Sequence, residues 1–130
     1  MINPVLENSS PQKAVRAAEG QKMWVLLNHI KADRCAQFER FVHDILMSAG
    51  EKVDPAAFRH TRFLHPAEQN EDGTYTSVFL MDPLIKGADY NILNLLKKAY
   101  SEDKAEEYYQ LWIDSLASPQ TGYEVTQSAL

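Results

Sequence analysis

What the chain has little of narrows its chemistry first. Its 130 residues contain one cysteine, Cys35, which rules out an intrachain disulfide and leaves no thiol pair for zinc. The five glycines are scattered and match neither the phosphate-cradling loop nor the dinucleotide fingerprint. Cations are in deficit, 13 Lys and Arg against 18 Asp and Glu, for a net charge of −5. That balance argues against nucleic acid or an anionic membrane as partner, since both want a basic patch. No apolar run approaches the roughly 20 residues of a membrane-spanning helix, and the N-terminus has no signal-like apolar core. A soluble, cytoplasmic protein is the expectation. Four histidines occur, His29, His43, His60 and His65, but no HxH or HExxH spacing relates them. No metal and no cofactor is expected. A serine nucleophile likewise has no elbow motif to present it.

What is present describes an ordinary globular domain, 45% hydrophobic and 24% charged. Residues 1–20 are polar, with Asn8-Ser9-Ser10-Pro11 and Gly20, and read as a flexible arm with one helical turn over Ala14–Ala18. Residues 21–130 form a single domain. Its centre is residues 22–50, where the apolar run Met23–Ile30 suits a strand in mid-sheet and passes directly into a helix. Asp33 is a good N-cap, and Gly50 is placed as the stop just past the helix. Cys35, Phe38, Val42, Ile45, Leu46 and Ala49 recur at three- and four-residue steps as one stripe, with Phe41 at its margin. Burying such a stripe at about 1.5–3 kcal/mol per side chain makes this strand–helix pair the core.

Residues 51–57 read as a connection through Asp54-Pro55. Phe58–His65 and Thr74–Met81 then form two strands around a polar loop, a hairpin ended by Asp82-Pro83. Asp89 is placed to cap a short helix over Tyr90–Tyr100. Ser101 starts another over residues 102–117, with Ala105, Tyr108, Tyr109, Trp112, Ile113 and Leu116 as its inner stripe. Gly122–Gln127 is a last strand.

Strand, helix, strand, strand, helix pair, strand is the order of the ferredoxin-like split βαβ fold, an α+β architecture with a four-stranded antiparallel sheet. Right-handed crossovers place the helices on one face. Yet Met23, Val25 and Leu27 alternate with Trp24, Leu26 and Ile30, and Val78 and Leu80 with Phe79 and Met81, so both faces are apolar. A second copy of the sheet would cover the bare face and give a two-fold homodimer.

In this order the chain resembles the dimeric α/β-barrel superfamily, which includes the antibiotic-biosynthesis monooxygenases. The resemblance covers residues 22–127 and rests on the strand Trp24–Lys31 running into Asp33–Gly50. Phe79-Leu80-Met81-Asp82-Pro83 with Gly87-Ala88-Asp89-Tyr90, and Ser118-Pro119-Gln120, are similar to an uncharacterised branch of that group. The resemblance implies a pocket between sheet and helices for small, flat, often aromatic molecules, frequently without metal or cofactor. Haem-degrading members pair a first-strand Asn with a later Trp and His. Asn28 and Trp112 match two of these, but no histidine follows His65, which puts that activity in doubt.

The residues themselves offer candidates. Asn28 and His29 are adjacent on a strand and point to opposite faces. If Trp24, Leu26 and Asn28 face the helices, Asn28 is the polar group of an apolar pocket, with Tyr109 or Trp112 as its aromatic wall. The alternative is a structural Asn28 bonded to nearby backbone. Arg62, beside Arg59, is either solubilising or a holder of a carboxylate. His43 is read as a solvated partner of Glu39. Two functions stay open: a small-molecule pocket protein, with a cofactor-independent monooxygenase-like enzyme on a flat metabolite as its catalytic form, or a non-catalytic homodimer that serves a structural role or protein interaction. A pocket of roughly 300 Å3 or more, lined by Asn28 and an aromatic, favours the first.

Overall fold

The computed structural model describes residues 16–129. The sheet has the order β2-β3-β1-β4, with β1 (Lys22–Ile30), β2 (Thr61–Leu64), β3 (Tyr75–Met81) and β4 (Thr121–Thr126). Every neighbouring pair is antiparallel. With β1 inside and helical segments between β1 and β2 and between β3 and β4, this is the ferredoxin-like split βαβ arrangement. The register assigns the two faces. Trp24, Leu26, Asn28 and Ile30 stand opposite Met81, Phe79, Ser77 and Tyr75, and the odd residues of β1 stand opposite Val78 and Leu80. The first set faces the helical layer and carries the buried core, in which Ile30, Phe79 and Met81 meet Phe38, Phe41, Leu96 and Trp112.

Helix α1 is one continuous run over residues 32–53: a 3-10 turn Ala32–Arg34, α turns Cys35–Arg40, a π-helical stretch Phe41–Leu46 and α turns Met47–Val53. Asp33 lies inside the opening turn and makes no side-chain cap. Phe41 is fully buried instead of marginal, because it stands three residues after Phe38 on the same inner face. Gly50 does not stop the helix. It is buried within it, and a Cβ there would lie 2.2 Å from the ring of Phe58. The glycine is needed for a close approach, and the helix ends four residues later at Asp54.

Residues 51–57, apart from Asp54, are therefore helical where a connection was expected. Asp54 leaves the helical conformation and caps a second short helix, α2 (Pro55–Arg59), its Oδ1 accepting from the Ala57 N–H at 3.1 Å. Pro55 takes the first helical position, where a missing N–H costs nothing. Phe58 and Arg59 thus belong to α2, and β2 is shorter than the run Phe58–His65 suggested. The β2–β3 hairpin pairs from Thr61↔Met81 to Leu64↔Val78.

Helix α3 (Ile92–Ala99) is capped by Asn91, whose Oδ1 accepts from the Asn94 N–H at 2.9 Å. Asp89 sits one step earlier and accepts the Asn91 N–H at 3.0 Å. Helix α4 (Glu102–Ser115) starts at Ser101 as expected, with Oγ accepting from the Lys104 N–H at 3.3 Å. Ala105 and Trp112 point inward, but Ile113 is exposed, and Ser115 takes the inner place. There Ser115 donates to the Leu111 carbonyl and accepts from Gln37 of α1, which clips the two helices together. Of the arm expected over residues 1–20, residues 1–15 lie outside the described residues. Ala17 is buried, and its N–H donates to Asp82.

Candidate functional site

A cavity of about 180 Å3 lies between the sheet and the helices. Leu26, Phe63, Phe79 and Met81 form its sheet side, and Tyr109 and Trp112 come from α4. Phe58 and Thr61 border it on one side, and Tyr90, Asn91, Ile92 and Gln120 on another. Each strand supplies every second residue, so the alternation that fills the core also produces this wall. Phe63 stands edge-on to Phe79 with ring centres 5.0 Å apart, and Tyr109 tilts against Trp112 at 5.6 Å.

The polar groups are few and local. Trp112 is 7% exposed, and among the described residues its buried Nε1 has no hydrogen-bond partner. A buried indole N–H normally finds an acceptor, since leaving one unpaired costs about 1–3 kcal/mol. Gln120 reaches the cavity from the segment after α4, which is fixed by the Ile30↔Leu116 bridge and by the Lys31 N–H on the Ser115 carbonyl at 2.9 Å. Tyr90 accepts the Ile85 N–H at 2.9 Å, and burial pushes its phenol pKa above the ordinary value. Tyr90 is therefore a neutral hydrogen-bonding group at neutral pH, unsuited to act as an anionic base.

The residues singled out in the sequence fall into three places. Tyr109 and Trp112 line the cavity together. Asn28 is fully buried just behind it: Oδ1 accepts from Gln120 Nε2 at 2.9 Å, and Nδ2 lies 3.5 Å from the Ser77 carbonyl. Of Asn28 and Gln120, Gln120 is the one whose residue lines the cavity, with Asn28 holding its carboxamide. Trp24 backs Tyr90 at 5.4 Å, and its Nε1 donates to Glu124 at 2.9 Å. That bond, together with Lys22, holds the Glu124 carboxyl below its usual pKa. Arg62 sits beside Leu80 in register, on the other face of the sheet, and pairs with the buried Asp82. The cavity is smaller than the 300 Å3 set as a mark from sequence, and its polar edge is made by residues other than Asn28.

Phe58, Thr61, Tyr90 and Gln120 were missed. Asp54-Pro55 signals a helix start as well as a turn, and read that way it places Phe58 on a helix. Nothing local marks Gln120, because chain reversal after α4 brings it back. Away from the cavity, Glu39 contacts both His43, at 3.4 Å, and His65. Cys35 is half-buried, and burial first and Glu39 second push its thiol pKa up, which keeps it protonated. Among the described residues no cluster of three or more His, Cys, Asp and Glu is arranged to hold a metal ion, and no helix is long and apolar enough to cross a membrane.

No protein-family model matches the chain, and no curated protein does. Two solved structures are similar to it, both of provisionally named antibiotic biosynthesis monooxygenases. The protein from Caulobacter crescentus CB15 is 14% identical, with 84% of this chain and 91% of that one covered and a TM-score of 0.46. The protein from Bordetella bronchiseptica is 16% identical, with 84% and 98% covered and a TM-score of 0.42. The assignment of the α+β, ferredoxin-like fold rests on the chain's own strand order and register.

Proposed function

We propose that the protein binds a small, flat organic molecule in the cavity between sheet and helices. The observation that carries this reading is a 180 Å3 space walled by Phe63, Phe79, Tyr109 and Trp112 beside a buried indole N–H without a partner. Aromatic walls favour a planar apolar body, and an unpaired donor favours one acceptor oxygen on its edge, such as a carbonyl or hydroxyl. Gln120 supplies a second polar contact that a ligand oxygen or N–H can use. The finer version is monooxygenase-like oxidation, in which a bound quinol and dioxygen give a hydroxyquinone and water: one oxygen atom enters the ring, the other leaves as water, and the quinol supplies the electrons. The wall would then orient the ring and exclude water, with Tyr90 as a neutral hydrogen-bonding group.

Thermal-shift measurement against single-ring phenols and quinols tests the binding reading. A ligand at 100 times its Kd should add about 2.7 kcal/mol of stability. No shift with any of them, at concentrations up to millimolar, counts against it. Dioxygen uptake by a bound quinol above its spontaneous rate tests the oxidation, and an uptake equal to the spontaneous rate leaves binding alone.

A second reading, a homodimer serving structural or protein-interaction roles, is favoured by the sheet face that the described residues leave open. Leu64, Tyr123 and Val125 are 41%, 55% and 42% exposed there, beside Val25, Leu27, Val78 and Leu80. A second copy of the same sheet is a cover of matching size and apolarity, and it would complete a dimeric α/β barrel. The two readings are compatible, since the cavity lies on the opposite face.

A further inference from the structure

Outside the cavity, a cleft of about 250 Å3 opens to solvent beside α2, bordered by Met47, Glu51, Pro55 and Arg59. Three residues line both spaces: Phe58, Thr61 and Phe63. Of these, Thr61 and Phe63 are fixed in β2, whereas Phe58 is half-buried and projects from the short helix α2. Its ring rests on Gly50, at a distance that leaves no room for a side chain there, and tilts against Phe63 at 6.1 Å. The backbone under it is held firmly. Asp54 caps α2, Ala57 is buried, and Thr61 Oγ1 donates to the Ala57 carbonyl at 3.0 Å. Movement at this boundary therefore belongs to the Phe58 side chain, not to the helix.

We propose that Phe58 is the specificity-determining residue of the cavity, setting the size of the molecule it admits. The inference rests on the binding reading above. With the ring seated on Gly50, the inner space suits one aromatic ring, since an apolar cavity of about 150 Å3 is known to admit benzene. With Phe58 removed or turned away from Gly50, the inner space joins the outer cleft and accepts a longer ring system. Gly50 is thus a positioning residue: its missing side chain is the seat that keeps the partition closed.

The test is a ladder of phenol, 2-naphthol and 9-phenanthrol, titrated by calorimetry into the full chain and into Phe58→Ala, Phe58→Leu and Gly50→Ala. Far-ultraviolet circular dichroism confirms the fold of each, and Phe58→Leu, the mildest truncation, carries the test if Phe58→Ala does not fold. The wild type should bind phenol and gain nothing from the second and third rings. Phe58→Ala should raise the affinity for 2-naphthol and 9-phenanthrol relative to that for phenol at least tenfold, with Phe58→Leu in the same direction. Gly50→Ala should shift the ladder likewise with the phenylalanine intact. Phenol binding with a ladder identical in wild type and folded variants overturns the role of Phe58 and leaves the binding reading standing. No binding of any probe to any of the proteins overturns both.

Discussion

The two faces of one sheet are built from similar residues and end in different states. On β3, Phe79 and Met81 turn toward the helices and are buried, while Val78 and Leu80 turn away and remain partly open. On β1, Asn28 and Ile30 are closed off, while Met23, Val25 and Leu27 are half-exposed. The covered face has spent its apolar surface on α1, α3 and α4, and the space left over is a cavity with one unpaired donor. The other face has a similar apolar inventory and, among the described residues, no helix. Apolarity alone thus does not tell a core from an interface; the partner that arrives decides. Among the described residues the helices reach only one side of the sheet.

The largest expected effect separates neighbours on β3. Phe79→Ala empties a site packed by Phe38 and Phe63 and should lower unfolding free energy by about 3–5 kcal/mol in urea titration, at any protein concentration. If the proposed dimer covers the open face, Leu80→Ala should cost less at nanomolar concentration and more at micromolar. Equal, concentration-independent losses at both positions would remove the distinction between the faces.

Association is the next largest. Light scattering at micromolar concentration should give a mass near twice 14.8 kDa, and Tyr123→Asp, on the edge strand of the open face, should return it to the single-chain value. A wild-type monomer would break the comparison, since the open face would then be stable against water unaided.

Both faces were legible in the sequence because β-strand parity is local. Once Met23–Ile30 is a strand, Asn28 must share a side with Trp24, Leu26 and Ile30, and the register with β3 bears this out. The Ser101 cap was legible for the same reason, being written within four residues. The cavity's outer boundary was not. Gly50 carries a strong helix-stop signal, and only the tertiary approach of Phe58 explains why it lies in mid-helix. Gln120 meets Asn28 across 92 residues of chain, and no pattern in the sequence couples them. Tyr109 and Trp112 were found because aromatics at helical spacing mark an inner face. Trp112's unpaired N–H was not, because pairing depends on where acceptors end up.

Adjacent residues on β1 sharpen the comparison at smaller scale. Asn28→Leu removes the acceptor of Gln120 Nε2 on the covered face, and should destabilise by about 1–3 kcal/mol while weakening probe binding through a misplaced Gln120. His29→Ala, on the opposite side, loses a contact to Thr76 at 3.1 Å and should cost about 0.5 kcal/mol with no effect on binding. Unchanged stability with abolished binding in Asn28→Leu would instead make Asn28 a direct ligand contact.

The smallest effect is confined to alkaline pH and concerns Tyr90 on the covered face. Burial, the largest cause, raises its pKa, and Asp54 adds to this against the opposing bond from the Ile85 N–H. A raised pKa means that the folded protein holds the phenolic proton more tightly than the unfolded chain does. The resulting stability is complete below the ordinary tyrosine value of about 10 and is lost as pH rises through the higher folded value. Tyr100 behaves in the same sense through its own burial. Ultraviolet titration of the native protein should therefore show Tyr90 and Tyr100 among the late-ionising groups, and Tyr90→Phe should reduce the late-ionising count by one. The same variant should show a shallower fall of stability above pH 10, on top of a pH-independent loss of the Ile85 hydrogen bond. If Tyr90→Phe leaves the late-ionising count unchanged, the phenol is solvated, and the cavity edge at Tyr90 is wetter than its place beside Trp24 implies.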